Sequence, residues 1–261
     1  MNRIDKKFKE LKRREKKAFI AYIMAGDPSL SVTKKLILEL ERRGVDIIEL
    51  GVPFSDPLAD GPTIQKASER AIRNANVDSV FKLVRDIRLK TKIPIVLMLY
   101  YNLIFHYGLK RFVENSVRSG VDGVIAPDLP PEESKELRAI TKEHGLAAIH
   151  LLAPTSSTER IKNIISASTG FIYYVSLTGT TGARSKLPKE LSENLRKIKK
   201  MTKKPVCAGF GVSTSEQVKE IQRYADGVIV GSAIVKVIEK NIGKKNTVRK
   251  VGNFTEALCT R

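Results

Sequence analysis

Eight short apolar runs recur along this chain, each followed by a segment with apolar residues at helical spacing. That alternation limits the fold more than any other feature. The runs are Phe19–Met24, Asp46–Leu50, Ile95–Leu99, Gly123–Ala126, Ala147–Leu151, Phe171–Val175, Val206–Ala208 and Gly227–Val230. Continuously apolar strands belong to parallel sheets covered on both faces by helices. Between them, Val80, Phe81, Val84 and Ile87 form one helical stripe, and Leu191, Leu195 and Ile198 another. Gly44, Gly120 and Gly145 stand where left-handed helix ends belong, and Ser213 with Glu216 reads as a capping box. Gly44-Val-Asp46 and Gly120-Val-Asp122 each lead into a run, with a looser copy at Ala225-Asp226.

Eight such units close a parallel barrel, and 261 residues match the ~250 typical of one. The expectation is an α/β fold, a TIM-type (β/α)8 barrel forming a single domain over residues 1–261. Ile4, Phe8 and Leu11, at i, i+4 and i+7, add an amphipathic N-terminal helix ahead of the first strand. A doubly wound open sheet is the alternative, but no G-x-G-x-x-G turn follows the first run.

Composition narrows the function classes. The basic N-terminus ahead of Ala18–Ala25 mimics a signal peptide but is too long for one. The run Ile93–Phe105 is broken by Asn102 and falls short of the ~20 residues of a membrane span. A cytoplasmic protein is expected. The formal charge of +19 is spread through Lys6–Lys17, Lys197–Lys204 and Lys240–Arg261, with few interleaved aromatics and no RNA-binding motif. It reads as a solvated surface with non-specific polyanion affinity as a side effect, and it favours an anionic substrate. Cys207 and Cys259 give neither a disulfide framework nor metal-ligand spacing, and His106, His144 and His150 are scattered. Cys207 reads as a small core residue, and no metal site is expected.

Barrel enzymes carry their chemistry in the loops after the strands. Glu49 interrupts the second run near its end, on the same side as Ile47; if that side faces inward, burial raises its pKa. The loop Gly51–Pro62, stiffened by three prolines, can bring Asp60 back to face Glu49. Taken singly, these acids also fit a buried structural glutamate and a turn aspartate. After the seventh and eighth runs, Gly209-Phe-Gly211-Val-Ser213 and Gly231-Ser232 precede helix starts, where free N–H groups favour an anion such as phosphate. The segment Ser176–Arg184, rich in glycine and hydroxyls, reads as a mobile lid.

The string Glu49-Leu-Gly-Val-Pro-Phe-Ser-Asp-Pro-Leu-Ala-Asp60-Gly-Pro-Thr-Ile-Gln65 and the stretch Gly179-Thr-Thr-Gly-Ala-Arg184 resemble signatures of the tryptophan synthase alpha chain family. Similarity extends through Ala25-Gly-Asp-Pro28, Tyr100-Tyr-Asn102, Gly120–Pro130 and Gly209-Phe-Gly211. The resemblance implies cleavage of indole-3-glycerol phosphate to indole and glyceraldehyde 3-phosphate. Glu49 matches the acid/base at indole C3 and Asp60 the carboxylate at the indole N–H. Tyr173 matches the tyrosine beside the glutamate. Gly182, Gly211, Gly231 and Ser232 match phosphate-binding positions, and Thr181 the lid hydroxyl. Tyr22, Met98, Tyr100 and Ile125 match the indole pocket, and Asp56 a loop acid that contacts a partner. That partner is implied to be a pyridoxal-phosphate β subunit in an αββα assembly, with no cofactor in this chain. Met24 stands where threonine is common, Thr180 where valine is usual, and Ile125 where leucine is frequent. Other phosphate-binding barrels, such as a sugar-phosphate isomerase using His150, and an RNA-binding barrel are the competing readings.

Overall fold

The computed structural model describes residues 2–175, 189–209 and 211–259. Among them, β1 (Ala18–Met24), β2 (Ile47–Gly51), β3 (Ile95–Met98), β4 (Gly123–Ile125), β5 (Ala147–Ala148), β6 (Leu151–Leu152), β7 (Ile172–Val175), β8 (Val206–Gly209) and β9 (Gly227–Val230) form one sheet. Its order is β5-β4-β3-β2-β1-β9-β8-β7-β6, and every pairing is parallel.

The two strands at the ends of that order are separated only by Ile149 and His150. Ile149 N–H donates to Val124 C=O at 3.0 Å, and Tyr173 N–H donates to His150 C=O at 3.3 Å. The fifth apolar run is therefore one barrel strand in two short pieces, and the sheet closes on itself. Helices connect successive strands, and the stripes read from sequence are buried in Val77–Arg88 and Lys189–Met201.

Closure divides the apolar residues into two sets. Alternate residues of each strand point inward, and Ile20, Ile47, Val96, Ile125, Ile149, Cys207 and Ile229 pack together there. The helix Arg3–Arg13 adds Ile4, Phe8 and Leu11 to this interior, with Phe8 and Phe171 ring centroids 5.9 Å apart. It plugs the end where the strands begin. Asn2 and Arg3 hold it there through the backbone carbonyl and carboxylate of Asp122, at 3.0 and 2.8 Å.

The repeated aspartates have one structural cause. Asp46, Asp122 and Asp226 each accept a backbone N–H at 2.9 Å from the first residues of a neighbouring strand, Phe19, Ile95 and Val206 respectively. Each also returns its own N–H to that residue's carbonyl, at 2.9, 2.9 and 2.7 Å. The carboxylate thus satisfies a donor that a strand start leaves open. Gly44, Gly120 and Gly145 all have positive φ, as a left-handed helix end requires.

One local expectation is corrected. The capping box before the helix Ser215–Gln222 is made by Thr214 and Gln217, not by Ser213 and Glu216. Gln217 is buried and its Oε1 accepts from the N–H groups of Ser213 at 2.9 Å and Thr214 at 3.3 Å, whereas Glu216 points to solvent. No helix among the described residues is long and apolar enough to cross a membrane.

Among the described residues only Glu15 has positive φ without being glycine, at 54°. It ends the N-terminal helix, with Lys16 N–H reaching back to Leu11 C=O at 2.9 Å. A Cβ is unfavourable in this backbone region. Glu15→Gly is therefore expected to raise stability by roughly 1 kcal/mol in urea unfolding. A loss of stability would show that the Glu15 side chain makes a compensating contact.

Candidate active site

At the ends of the strands opposite the N-terminal helix lies a cavity of about 530 Å3. Tyr22, Glu49, Asp60, Met98 and Tyr173 contribute to its walls, with Gly211, Gly231 and Ser232 at its far side.

Glu49 reaches it by alternation along β2. Ile47 belongs to the barrel interior, so Glu49 points the same way one layer higher and is 1% exposed. Neither carboxylate oxygen has a hydrogen-bond partner within 3.5 Å among the described residues. Burial pushes its pKa up to about 8, with the Asp60 carboxylate second in effect and the Tyr173 hydroxyl working in the opposite direction. Among the described residues no lysine pairs with it, so there the structural-acid alternative has no counter-ion.

Asp60 arrives on a loop pinned at several points. Ser68 Oγ accepts from Phe54 N–H at 2.9 Å and donates to Phe54 C=O at 2.8 Å. Gln65 Nε2 donates to the carbonyls of Asp60 at 3.0 Å and Pro57 at 3.3 Å. The Tyr100 hydroxyl donates to Asp60 Oδ2 at 3.2 Å while accepting from Ala59 N–H at 2.9 Å, and its ring stacks on Phe54 with centroids 5.0 Å apart. Burial raises the Asp60 pKa to about 6, and the Tyr100 hydrogen bond opposes the rise.

Glycines make room for the tyrosines. A Cβ on Gly51 would sit 2.8 Å from Tyr22 Cζ, and one on Gly209 3.3 Å from the Tyr173 hydroxyl. A bulkier residue at either strand end would displace the rings that flank Glu49.

The two glycine turns are not equivalent as anion sites. The helix after β8 is capped by its own Thr214 and Gln217, leaving Gly211 (φ 62°) exposed at the cavity edge. The helix Ser232–Glu239 begins at Gly231 without any side-chain cap, and Gly231 and Ser232 both line the cavity. Its first N–H groups and positive dipole end are available to an anion.

The remaining sequence candidates fall as follows. Tyr100 touches the cavity through Asp60 rather than lining it, and Ile125 is fully buried among the interior residues below it. Thr181, Gly182 and the rest of the lid lie outside the described residues. Asp56 is exposed on the β2 loop. His150 sits between inward-facing Ile149 and Leu151, so it faces the helices, and burial lowers its pKa to about 4. It is not placed to act as an electrophile in this cavity. Among the described residues no group of three or more His, Cys, Asp or Glu is placed to hold a metal. Leu151 and Val175 line the cavity but were not singled out from sequence. Both follow the inward alternation, Val175 two positions after Tyr173, which is the signal that finds them.

Proton-transfer groups in two different environments at the C-terminal mouth of a closed parallel barrel make this a TIM-barrel acid–base enzyme. Comparison with known proteins narrows that class. The family model for the tryptophan synthase alpha chain matches residues 8–259. A tryptophan synthase alpha chain from Geotalea daltonii is 51% identical, covering 94% of this chain and 93% of its own length. The crystal structure of the Legionella pneumophila alpha subunit superposes with TM-score 0.92 at 40% identity, covering 99% of this chain and 97% of that one. A Pyrococcus furiosus chain, from a structure concerned with mutual activation of the tryptophan synthase α2β2 complex, gives TM-score 0.87 at 41% identity over 92% of this chain and 97% of its own. The chain belongs to the tryptophan synthase alpha chain family.

The raised pKa of Glu49 has a consequence for stability. Below the ordinary glutamate range of about 4.5 the group is protonated in both folded and unfolded chains. As pH rises toward about 8 the unfolded chain ionises freely while the folded one resists, so native stability falls across that window. Glu49→Gln removes this penalty. The variant should nearly match the parent in unfolding free energy near pH 4.5 and exceed it near pH 8.5, by an amount on the order of a few kcal/mol, read from urea unfolding at the two pH values. A difference that stays constant with pH would show that the carboxyl ionises normally.

Proposed function

We propose that this chain cleaves indole-3-glycerol phosphate to indole and glyceraldehyde 3-phosphate, with Glu49 and Asp60 as the catalytic pair. The observation that carries the assignment is the split between the two acids in one cavity. With a pKa of about 8, Glu49 holds its proton at neutral pH; with a pKa of about 6, Asp60 is mostly ionised there.

The division suits the reaction. Glu49 delivers its proton to indole C3, which ends the ring's aromaticity and leaves positive charge at the ring nitrogen. Asp60 accepts a hydrogen bond from the indole N–H and stabilises that charge. Glu49, now a carboxylate, takes the proton from the glycerol hydroxyl next to the ring. The carbon–carbon bond breaks as that oxygen becomes an aldehyde, and the electron pair restores the indole. Acid and base are the same group, returned to its starting state after each turnover.

Positioning falls to the surroundings. Tyr173 stands beside Glu49, and Tyr100 orients Asp60. Tyr22 and Met98 offer the apolar wall for the ring, with Ile125 packed beneath it. Gly211, Gly231 and Ser232, together with Gly182 and Thr181 of the lid segment, hold the phosphate, the uncapped helix start providing the fixed positive end. No cofactor of its own enters these steps.

The partner is a β subunit carrying pyridoxal phosphate, in an αββα assembly in the cytoplasm. Leu58, at the cavity, is 81% exposed and Phe105, on the helix Tyr101–Tyr107 that follows β3, is 63% exposed, with Asp56 exposed on the β2 loop. Apolar side chains so exposed beside an active site are suited to burial by a partner.

Indole release from indole-3-glycerol phosphate tests the reading directly. Glu49→Gln should lower kcat at least ~10²-fold with substrate affinity largely kept, the scale of general acid–base catalysis. Asp60→Asn should be similarly impaired. Full activity in either variant removes that residue from the mechanism. Phe105→Asp should weaken co-elution with the β subunit while leaving the isolated chain's melting temperature within ~2 °C, as for other surface changes. Unchanged co-elution would move the docking face elsewhere.

A further inference from the structure

The opposite end of the barrel carries a concavity that the chemistry above does not use. It occupies about 710 Å3 where the N-terminal helix meets the beginnings of the strands, marked by Gly170, Pro205 and Asp226. Lys9, Lys12, Lys16, Lys17, Lys199 and Lys203 line it, against the carboxylates Asp5, Glu15 and Asp226. Six lysines and three carboxylates leave a surplus of three positive charges.

Pairing sharpens the imbalance. Asp226 is taken up by Lys199 and, at 3.8 Å, by Lys17. Among the described residues Lys9, Lys12, Lys16 and Lys203 have no ion-pair partner. The adjoining face of the N-terminal helix carries Lys6, Lys9, Lys12 and Arg13, with no carboxylate among them. Lys9 and Lys12 belong to both, so the positive field runs unbroken from one to the other. Like charges gathered along a concave, low-dielectric wall concentrate potential and attract an ion of opposite sign.

We propose that this end of the barrel is a binding site for a linear oligophosphate, a chain of several phosphoryl groups running from the concavity past Lys12 onto the adjoining helix face. The ligand class follows from the lining. Successive ammonium groups match charges repeated along a chain better than one compact anion. Single-stranded nucleic acid fits less well, because sites for it present aromatic rings for base stacking. Here the single aromatic residue, Phe8, is only 9% exposed and is packed on Phe171. The four unpaired lysines are exposed, so the fold does not depend on them.

Calorimetric titration of the full chain with sodium tripolyphosphate at 0.15 M salt tests the site. Lys12→Glu/Lys203→Glu should weaken binding at least ~10-fold, since two attractive contacts become repulsive. Lys110→Glu/Lys142→Glu makes the same change in net charge on exposed positions outside the cavity and should cost under ~3-fold, the residual long-range effect at this salt. Indole production should be unaltered in both, because neither pair touches the catalytic cavity. Absence of binding by the parent chain would overturn the proposal outright, and equal losses in the two variants would overturn it in favour of bulk charge alone. Displacement of tripolyphosphate by equimolar single-stranded RNA would overturn it in favour of a nucleic-acid surface.

Discussion

A carboxylate held out of water, with no cation beside it among the described residues, is the constraint around which this molecule is arranged. Ionised, Glu49 would carry the full cost of desolvation. It therefore keeps its proton to about pH 8, and the one charge near enough to matter, Asp60, pushes in the same direction. The barrel imposes this state. Ile47, Val96 and Ile229 fill the layer beneath, and the tyrosine rings stand at the sides.

Keeping a second, ionised acid close to such a group requires anchorage, because no cation among the described residues is paired with Asp60 to hold it there. The β2 loop supplies it by tying its backbone to Ser68 and Gln65 and its functional side chain to Tyr100. Those tethers are neutral hydrogen bonds, so they fix Asp60 without quenching its charge. The same economy appears at the far side of the cavity, where one helix start is capped by its own Gln217 and the next is left bare. The bare one presents its first N–H groups to the cavity.

The two ends of the barrel are thus different in kind. One is closed by an amphipathic helix whose apolar face completes the interior and whose polar face carries a concentration of lysines. The other is open and lined by groups whose protonation is set by burial. Packing at the first end lets the second remain hollow, because the interior layers rest on Ile4, Phe8 and Leu11 rather than collapsing toward the mouth.

Much of this was legible in the residue order. Periodicity marked the strands and the main helical stripes, the Gly-Val-Asp echoes marked strand entries, and Glu49 was conspicuous as an acid in an apolar run. These signals are local, since alternation and helical spacing act over a few residues. Other features needed distant parts of the chain. The fifth run gives no hint that it breaks at Ile149 and His150, since that follows from meeting β4 on one side and β7 on the other. Choice of Thr214 over Ser213 as the cap depended on burial of Gln217, and the separation of Ile125 from the cavity depended on which layer its strand register occupies. The sequence by itself determined which residues share a strand face and where an acid interrupts them; only the tertiary structure decided which face is inward, which acids share a cavity and how tightly each holds its proton, because all three follow from burial among residues far apart along the chain.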